Sequence, residues 1–536
     1  MSSSHPAGGE SQPAKRDRPP LVLAALAVIV LAWLAMGTVY AVRTPRWQAP
    51  DEPAHFNYVA YLVQHRAFPV LQPGDFPAEY LERLKADHFP ADQPIDSIRY
   101  ESHQPPLYYL LGAVVYRTTA PMGAEVQFLA LRLLSVLLGA AVLLVAFATV
   151  SAIFPAWHGV ALGSVALAGT LPMHLAVAAS VNNDLLAELM VALIVYLSVR
   201  SIRDGLTPRR TLWMGVLVGL ALLTKTTTYL PAIGVVGVTW LLSGAGLRTA
   251  FRSADGSAPG HRPNGSPASG SHPGPAVPKR ARLASALLIA VPAALLSAPW
   301  FLRNALVYGD LDTLAWRRHA LVAAGQPTSA DLLAAWGATR FVREFALTVF
   351  RSYWAQFGWM GVLVDQRIYI ALALLSATAV AGLVIFSWRL ATGRLALTAF
   401  QKRALALLVV AVALTGATLV GYNAGFYQPQ GRYLFVALVP MAVLASLGLS
   451  EALNGPVARR LALIVAAFGL SLLASGLLRG RVPWWSAALA FAGGGWLALS
   501  GWAPPRTRWV APVAGYCVLL VLDWMCIAQY IVPYLR

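Results

Sequence analysis

The chain has 536 residues, of which 57% are hydrophobic and only 12% are charged. An average soluble domain has about 25% charged residues, so this composition excludes an ordinary soluble protein and indicates an integral membrane protein. The net charge of +18 does not predict nucleic acid binding, because many of the arginines stand in short segments between apolar runs, where they determine membrane topology.

Apolar segments in chain order predict about thirteen membrane-spanning helices, since a span needs roughly 20 residues. They are 21–42, 127–150, 158–178, 184–200, 211–224, 229–245, 284–301, 367–388, 404–421, 433–453, 461–478, 484–501 and 509–531. We therefore expect an all-α fold, a polytopic bundle of transmembrane helices with interfacial helices in a long first outer loop. Residues 1–20 are expected to form a disordered cytoplasmic tail before an uncleaved signal anchor.

The short segment 105–116, PPLYYLLGAVVY, decides the topology. If it does not cross the membrane and residues 1–20 are cytoplasmic, the basic clusters fall on the cytoplasmic side, as the positive-inside rule requires. These clusters contain Arg200, Arg203, Arg209 and Arg210; Arg248, Arg252, Lys279, Arg280 and Arg282; Arg394, Lys402 and Arg403; and Arg459 and Arg460. We therefore expect 105–116 to lie as a helix along the outer interface.

This topology gives the outer side a first loop at 43–126 and a second at 302–366. It also places short outer turns near 179–184, 225–228 and 422–432. The Gly-, Pro- and Ser-rich stretch 253–278 is expected to be a flexible cytoplasmic linker.

Two further interfacial helices are expected in the outer loops. Apolar side chains recur at helical spacing after Pro53, and aromatic residues alternate with charged ones at 340–361.

The first candidate site is APDEPAHFNY at 49–58, directly after the first span. Asp51 and Glu52 could act as a general base and its electrostatic partner at the mouth of a membrane cavity. The alternative is that they only cap the following helix and interact with its dipole. His55, four residues after Asp51, would lie near it and could be a metal ligand, although one histidine with one carboxylate is a weak metal signal.

The second candidate site is ESHQPPLYYLL at 101–111. His103 and Gln104 offer hydrogen-bond donors before a rigid Pro-Pro entry into an apolar helix, where they could bind a phosphate or a sugar. The alternative is an aromatic interfacial anchor formed by Tyr108 and Tyr109.

The third candidate site is YQPQGRYLFVALVP at 427–440. Arg432 could pair bidentately with a phosphate, and Gln430 supplies an amide beside it. The alternative is that Arg432 extends to the outer lipid headgroups.

Weaker candidates lie in other segments near the same boundary. Asn183 and Asp184 precede a span and could simply cap it. Lys225 stands among threonines, where it would suit a phosphate or extend to the membrane surface. The remaining weak candidates are Arg132, Glu188 and Asp523.

The charge-derived topology places the three main candidate sites and Lys225 at the outer membrane boundary. Acidic, amide and cationic groups meeting there suit a lipid-phosphate substrate held by its headgroup. The sequence has neither a Rossmann fingerprint nor a P-loop, which agrees with a lipid-linked rather than a nucleotide-linked donor. Without a dense ligand cluster, a divalent metal is possible but not favoured.

The order of these features resembles the GT-C superfamily of membrane glycosyltransferases, in particular the protein O-mannosyltransferases and the lipid A aminoarabinose transferases. DEPAHF is similar to the D-E-x-H-F opening of the mannosyltransferases. PDEPAHF together with SYWAQFGWM at 352–360 and QGRYLFVALVP at 430–440 looks closer to an uncharacterised bacterial branch related to them. The resemblance covers roughly residues 21–440 and is densest in the first 120 residues.

The resemblance implies a GT-C-like transmembrane catalytic module at 21–440, followed by C-terminal transmembrane helices at 441–536. It implies inverting transfer of a sugar from a polyprenyl-phosphate donor to a glycan, lipid or protein acceptor, at the outer face of a bacterial cytoplasmic membrane. Asp51 would act as base or as the group that orients the acceptor, and Lys225 and Arg432 would stabilise the departing lipid phosphate. The aminoarabinose transferases have a lysine just before the Pro-Pro pair, whereas this chain has His103 and Gln104.

Two other functions fit the same features. One is a transporter or flippase of lipid-linked sugars, which would place polar residues near the membrane midplane. The other is a noncatalytic scaffold that keeps a GT-C-like fold.

Overall fold

The computed structural model describes residues 19–243 and 279–536. The predicted linker at 253–278, and the predicted tail at 1–20 except for its last two residues, lie outside the described residues. The described chain is helical apart from one antiparallel hairpin, in which β1 (Gln356–Phe357) pairs with β2 (Val362–Leu363).

The helices alternate between long apolar ones and short ones in the connecting segments. They are α1 (Pro20–Arg43), α2 (Glu52–His65), α3 (Ala78–Ala86), α4 (Leu107–Thr119), α5 (Ala124–Ile153), α6 (His158–Gly169), α7 (Pro172–Ala178), α8 (Asp184–Asp204), α9 (Pro208–Leu222), α10 (Tyr229–Leu242), α11 (Lys279–Tyr308), α12 (Trp316–Val322), α13 (Ser329–Trp336), α14 (Ala338–Trp354), α15 (Gln366–Ala391), α16 (Ala399–Gly425), α17 (Leu438–Ala452), α18 (Gly455–Leu478), α19 (Trp484–Trp502), α20 (Val510–Met525) and α21 (Val532–Leu535). Short 3₁₀ segments are Tyr100–His103, Ala120–Met122, Thr226–Thr228, Gly431–Ala437 and Pro505–Thr507, and a π-helical segment is Cys526–Ile531.

The predicted all-α, multi-pass fold is confirmed. Within 19–243 and 279–536, nine helical segments are long and apolar enough to cross a membrane. They are α1, α5, α8, α11, α15, α16, Gly431–Ala452, α18 and Val510–Leu535.

The count of about thirteen spans is not confirmed. The predicted span 158–178 is divided into α6 and α7, which meet at a bend of 64° and together could form a tenth crossing. The helices α9 and α10 form where spans were expected, but they have only 15 and 14 residues. A straight crossing needs about 20 residues, so their length alone does not establish a span. Helix α19 has 19 residues but is not among the sufficiently apolar helices.

Burial separates the inner helices from the peripheral ones. The most apolar window of α8 is 72% buried and that of α5 is 56% buried, whereas α1 and α18 each reach only 17%. The peripheral helices therefore keep an apolar surface that suits lipid, and polar side chains on α5 and α8 face protein.

Helices α15 and α17 meet through small residues. A Cβ atom added to Gly448 on α17 would lie 2.0 Å from the carbonyl oxygen of Ala379 on α15. Glycine at this point lets the two backbones approach closely, which is a common way of packing membrane helices.

The segment between α1 and α5 has a small core of its own. Leu81 and Leu84 on α3 pack with Phe89 and Ile98, and this cluster also contacts Ala54 on α2. The expected helix after Pro53 is α2, and the expected helix at 105–116 is α4. The expected helix at 340–361 is α14, which ends earlier, at Trp354, because the β1–β2 hairpin follows it. Together these elements cover one end of the bundle, where the candidate site lies.

Candidate functional site

Asp51 and Arg432 form the centre of the candidate site. Asp51 stands directly before α2 with a left-handed backbone (φ 68°), a conformation that is uncommon for residues other than glycine. Its carboxylate accepts hydrogen bonds from the Arg432 guanidinium and, at 2.8 Å, from the Tyr100 hydroxyl. Burial alone would raise the pKa of the Asp51 carboxyl, but Arg432, His55 and Tyr100 together hold this pKa below its ordinary value. Asp51 is therefore ionised in this structure.

A second ion pair lies beside the first. Lys225 Nζ donates to Asp184 Oδ1 at 2.5 Å, and Arg432 Nη1 lies 3.8 Å from Asp184 Oδ2. Asp184 is the first residue of α8, where its charge suits the helix dipole. Lys225 lies in the short break after α9. The two cations and two carboxylates therefore form one connected group with balanced charge.

His55 and Glu101 complete an acidic corner around Asp51. The potential ligand atoms of Asp51, His55 and Glu101 all lie within 4.8 Å of one another. Burial lowers the pKa of His55, and burial raises the pKa of Glu101, although His55 partly offsets the latter. These three residues are the set in the described chain that could hold a divalent cation. A cation there would compete with Arg432 for Asp51.

Asp51, Arg432 and Lys225 line a polar cavity of about 280 Å³. This volume lies just below the usual range of small-molecule sites, about 300–1,000 Å³, and suits a small polar ligand. The predicted site residues that line it are Asp51, His55, Gln104, Lys225, Gln430 and Arg432. Lys85 and Trp359 form part of its outer rim, with the ammonium 4.4 Å from the centroid of the indole.

Several buried polar atoms around this cavity have no hydrogen-bond partner within the described chain. They are Glu101 Oε2, Gln104 Oε1, Asn183 Oδ1, Asp184 Oδ2, Gln430 Oε1 and Arg432 Nε. Buried polar atoms in native proteins nearly always have partners, so such a concentration at one place indicates a binding site for a polar ligand.

Glu52 is not at the cavity. Its two carboxylate oxygens accept hydrogen bonds from Arg132 at 2.8 and 2.7 Å, and also from the backbone N–H groups of Trp47 and Val181. Arg132 in turn donates to the carbonyl oxygens of Ala41 and Thr44. The geometry gives Glu52 a positioning role, since this buried pair ties the start of α2 to α1, α5 and the turn before α8.

His103 and Asn183 also lie behind the cavity wall. His103 Nδ1 is 2.9 Å from the carbonyl oxygen of Tyr100, and its ring lies 4.6 Å from that of His319. Burial lowers the pKa of His103 to about 4. Asn183 donates to the carbonyl oxygen of Thr224 at 3.2 Å, directly before Lys225. Both residues therefore support neighbours that face the cavity.

Sequence reasoning missed Glu101 and Tyr100. Glu101 stands two residues before His103 in the same motif. An acid beside the two hydrogen-bond donors of this motif is the signal that could have indicated it. Tyr100 gave no signal, because its role depends on the fold bringing its hydroxyl to Asp51.

An apolar groove of about 640 Å³ lies on the other side of the 3₁₀ segment Gly431–Ala437. Arg432 on this segment lines the polar cavity, whereas Leu434 lines the groove, together with Phe345 and Tyr353 of α14. Gly431 permits the arrangement, since a Cβ atom there would lie 2.3 Å from the backbone nitrogen of Tyr353. One turn of helix thus separates a charged cavity from an apolar groove.

The structure is similar to that of ArnT from Cupriavidus metallidurans bound to undecaprenyl phosphate, at 12% identity and a TM-score of 0.48, over 95% of this chain and 76% of that one. It is also similar to the oligosaccharyltransferase AglB from Archaeoglobus fulgidus in complex with an inhibitory peptide and a dolichol-phosphate, at 12% identity and a TM-score of 0.43. That match covers 92% of this chain and 56% of the archaeal one, so the chain spans little more than half of its length.

Both of these proteins are GT-C superfamily membrane glycosyltransferases, and the likeness is one of fold. No curated protein matches the chain by sequence. A family model described as "Predicted membrane protein (DUF2142)" matches residues 76–445, which is more than half of the chain. The chain belongs to this family of predicted membrane proteins.

Proposed function

We propose that this protein is a membrane glycosyltransferase that moves a sugar from a polyprenyl-phosphate donor to an acceptor. The observation that carries the proposal is the polar cavity, where two ion pairs adjoin several buried polar atoms without partners. Such an arrangement suits a ligand that is both anionic and rich in hydroxyl groups. The motif resemblance to GT-C transferases supports the same reading.

Arg432 and Lys225 are the proposed phosphate-binding residues. Arginine matches the geometry of a phosphate bidentately, and lysine adds a compact positive charge. The Nε atom of Arg432 is buried without a partner, so the guanidinium keeps a free donor for a phosphate oxygen. The apolar groove behind Leu434 suits the polyprenyl chain, because it begins on the opposite face of the same helical turn.

Asp51 is the proposed general base. The acceptor hydroxyl oxygen attacks the anomeric carbon, its proton passes to the Asp51 carboxylate, and the bond from that carbon to the phosphate oxygen breaks. The polyprenyl phosphate leaves with the bonding electrons, and Arg432 and Lys225 stabilise its charge. Attack opposite to the leaving group inverts the anomeric centre.

Donor binding would also prepare the base. In the free protein Arg432 lowers the pKa of Asp51, which makes the carboxylate a weak base. A phosphate that takes over hydrogen bonds of Arg432 would weaken this pairing and raise the pKa of Asp51. A base is most effective when its pKa is closer to the working pH.

His55, Glu101, Gln104 and Gln430 are proposed to bind hydroxyl groups of the sugar or the acceptor. Under the charge-derived topology the site faces the outer side of a bacterial cytoplasmic membrane. The acceptor is then a glycan, a lipid or a protein of the cell envelope.

The proposal is tested with the purified full-length chain in lipid vesicles. A panel of radiolabelled polyprenyl-phosphate sugars is supplied with a cell-envelope extract as acceptor, and both labelled product and released polyprenyl phosphate are measured. We expect product and released lipid phosphate in equal amounts. Binding of the lipid-linked sugar without cleavage of any donor would contradict the proposal and favour the scaffold, and movement of intact donor across the vesicle membrane would favour the transporter.

A further inference from the structure

A second cavity lies at the opposite end of the helix bundle. It measures about 690 Å³ and lies where α6 begins and where α15 and α17 end. Arg132 in the third turn of α5 contacts Glu52 beside the candidate site, and α5 ends at Ile153, three residues before Ala156 in the cavity lining, which is about 30 Å further along the helix. The polar cavity of the proposed transferase site is therefore separate from this cavity, whose apolar end adjoins the groove proposed for the polyprenyl chain.

One end of this cavity is charged. Arg389 Nη1 lies 2.5 Å from Glu451 Oε1, so these two charges neutralise each other. Arg508 also lines the cavity, and within the described parts of the chain no hydrogen bond or ion pair engages its guanidinium. The uncompensated charge of this lining is positive.

The position of Arg508 indicates the kind of ligand. Its Nη2 atom packs at the first residue of α18, where a Cβ atom on Gly455 would lie 3.3 Å away. The first turn of a helix has backbone N–H groups without intrahelical partners and a partial positive charge, so a cation beside it is unfavourable. An anion between Arg508 and this turn would satisfy both groups.

The other end of the cavity is apolar. Leu447 and Leu519 line it, and Leu167, Leu375 and Leu449 line both this cavity and the groove described above. Trp157, whose ring contacts Phe386 one turn before Arg389, lies near the charged end, as tryptophans do at membrane interfaces. A free phosphate would leave this apolar wall unused, whereas a lipid would cover it.

We propose that this cavity binds an anionic phospholipid, with its phosphate at Arg508 and the first turn of α18 and one acyl chain along the shared leucines. Positive charge near the cavity supports an anionic headgroup: Lys402 and Arg403 stand at the start of α16, and Arg459 and Arg460 in the first turns of α18. The positive-inside rule places this end on the cytoplasmic side. The inference does not depend on the proposed transferase activity.

The test measures lipid binding to the purified full-length chain by native mass spectrometry. Phosphatidylglycerol and phosphatidylcholine with identical acyl chains are compared on the wild type, on Arg508→Gln and on the control Arg506→Gln. Arg506 is an exposed arginine of the same connecting segment that does not line the cavity. We expect the wild type to prefer phosphatidylglycerol, and Arg508→Gln to lose affinity for it by about 10-fold, since a charge-assisted contact to phosphate is removed. Arg506→Gln should bind like the wild type.

Three results would overturn the proposal. Equal binding of the two lipids to the wild type would show that the headgroup charge is not recognised. An equal loss in both variants would show attraction to surface charge in general. Displacement of phosphatidylglycerol by glycerol 3-phosphate at equal concentration would show a site for a free phosphate rather than for a lipid.

Discussion

Asp51 and Arg432 are 381 residues apart in the chain, yet their side chains form an ion pair in the wall of one polar cavity. The pair joins the segment before α2 to the helical turn before α17. A donor phosphate at Arg432 must compete with the Asp51 carboxylate, so substrate binding and activation of the base are coupled in the proposed mechanism.

The role of Arg432 can be tested with Arg432→Lys, which keeps the charge but removes bidentate hydrogen bonding. We expect the affinity for polyprenyl phosphate to fall by about 10-fold or more, because the planar guanidinium matches phosphate oxygens and an ammonium does not. Binding is measured with labelled polyprenyl phosphate, and Arg343→Lys on the exposed face of α14 is the control. Unchanged affinity in Arg432→Lys would mean that Arg432 serves its ion pair with Asp51 and does not bind the phosphate.

Glu52 is expected to act in stability rather than in chemistry. Glu52→Gln leaves Arg132 as a buried charge without its partner, and breaking a buried ion pair costs about 3–5 kcal/mol. We expect a clear fall in the unfolding temperature in detergent. Glu125→Gln breaks the Arg46–Glu125 pair, in which the glutamate is 84% exposed, and should change the stability by less than about 1 kcal/mol.

The variant Glu52→Gln also tests whether Glu52 or Asp51 is the general base. The folded fraction of Glu52→Gln should transfer sugar at close to the wild-type rate. Loss of transfer without loss of stability would assign the base to Glu52 instead.

Acid should destabilise the segment between α1 and α5 through His103. Its pKa is lowered from 6.5 to about 4 by burial, so between these values the unfolded chain binds a proton that the folded chain does not. Stability is then complete above pH 6.5 and falls as the pH drops towards 4, by on the order of 3 kcal/mol for this group. Unfolding temperatures from pH 7.5 to 4.5 should show a smaller fall in His103→Gln than in the wild type.

The exposed His88 provides the control for this experiment. His88→Gln should keep the wild-type dependence on pH. If the unfolding temperature of His103→Gln depends on pH as that of the wild type does, another group is responsible. The first candidate is the neighbouring His319, whose pKa is lowered to about 3 by burial and by His103.

Transfer is expected to continue after chelation of divalent metals. Asp51 is engaged by Arg432 and Tyr100, so a cation at Asp51, His55 and Glu101 would have to displace the guanidinium. Activity is measured before and after treatment with a chelator, in the wild type and in Glu101→Gln. A loss that added Mn²⁺ restores in the wild type but not in Glu101→Gln would establish a metal site and contradict this expectation.

The sequence was sufficient to predict the fold class, whereas the predicted site residues stay predictions. Charge at the loop ends placed Asp51, Lys225 and Arg432 at one membrane boundary, and the structure brings all three to one cavity. The sequence could not show which acid pairs with which cation, because the partners lie far apart in the chain. In the sequence, Glu52 looks equivalent to Asp51. In the structure, Glu52 lies away from the cavity because it pairs with Arg132, a lone arginine within an apolar segment.

The span count was less predictable for a related reason. Hydropathy measures the length of an apolar run but not whether the helix continues through it. The run at 158–178 is interrupted before Pro172, where the ring of proline suits the start of a new helix. The segments of α9 and α10 are apolar, but their helices are too short for length alone to show that they cross the membrane.

The most direct test of the central claim compares sugar transfer by Asp51→Asn and Asp75→Asn in lipid vesicles. Asp75 is another buried acid of the segment between α1 and α5, paired with Arg99 and not part of the cavity. We expect Asp51→Asn to lose transfer by about 100-fold or more, as removal of a general base does, while it still binds polyprenyl phosphate. Asp75→Asn should retain most of the wild-type rate. Equal rates of transfer in Asp51→Asn and the wild type would contradict the account.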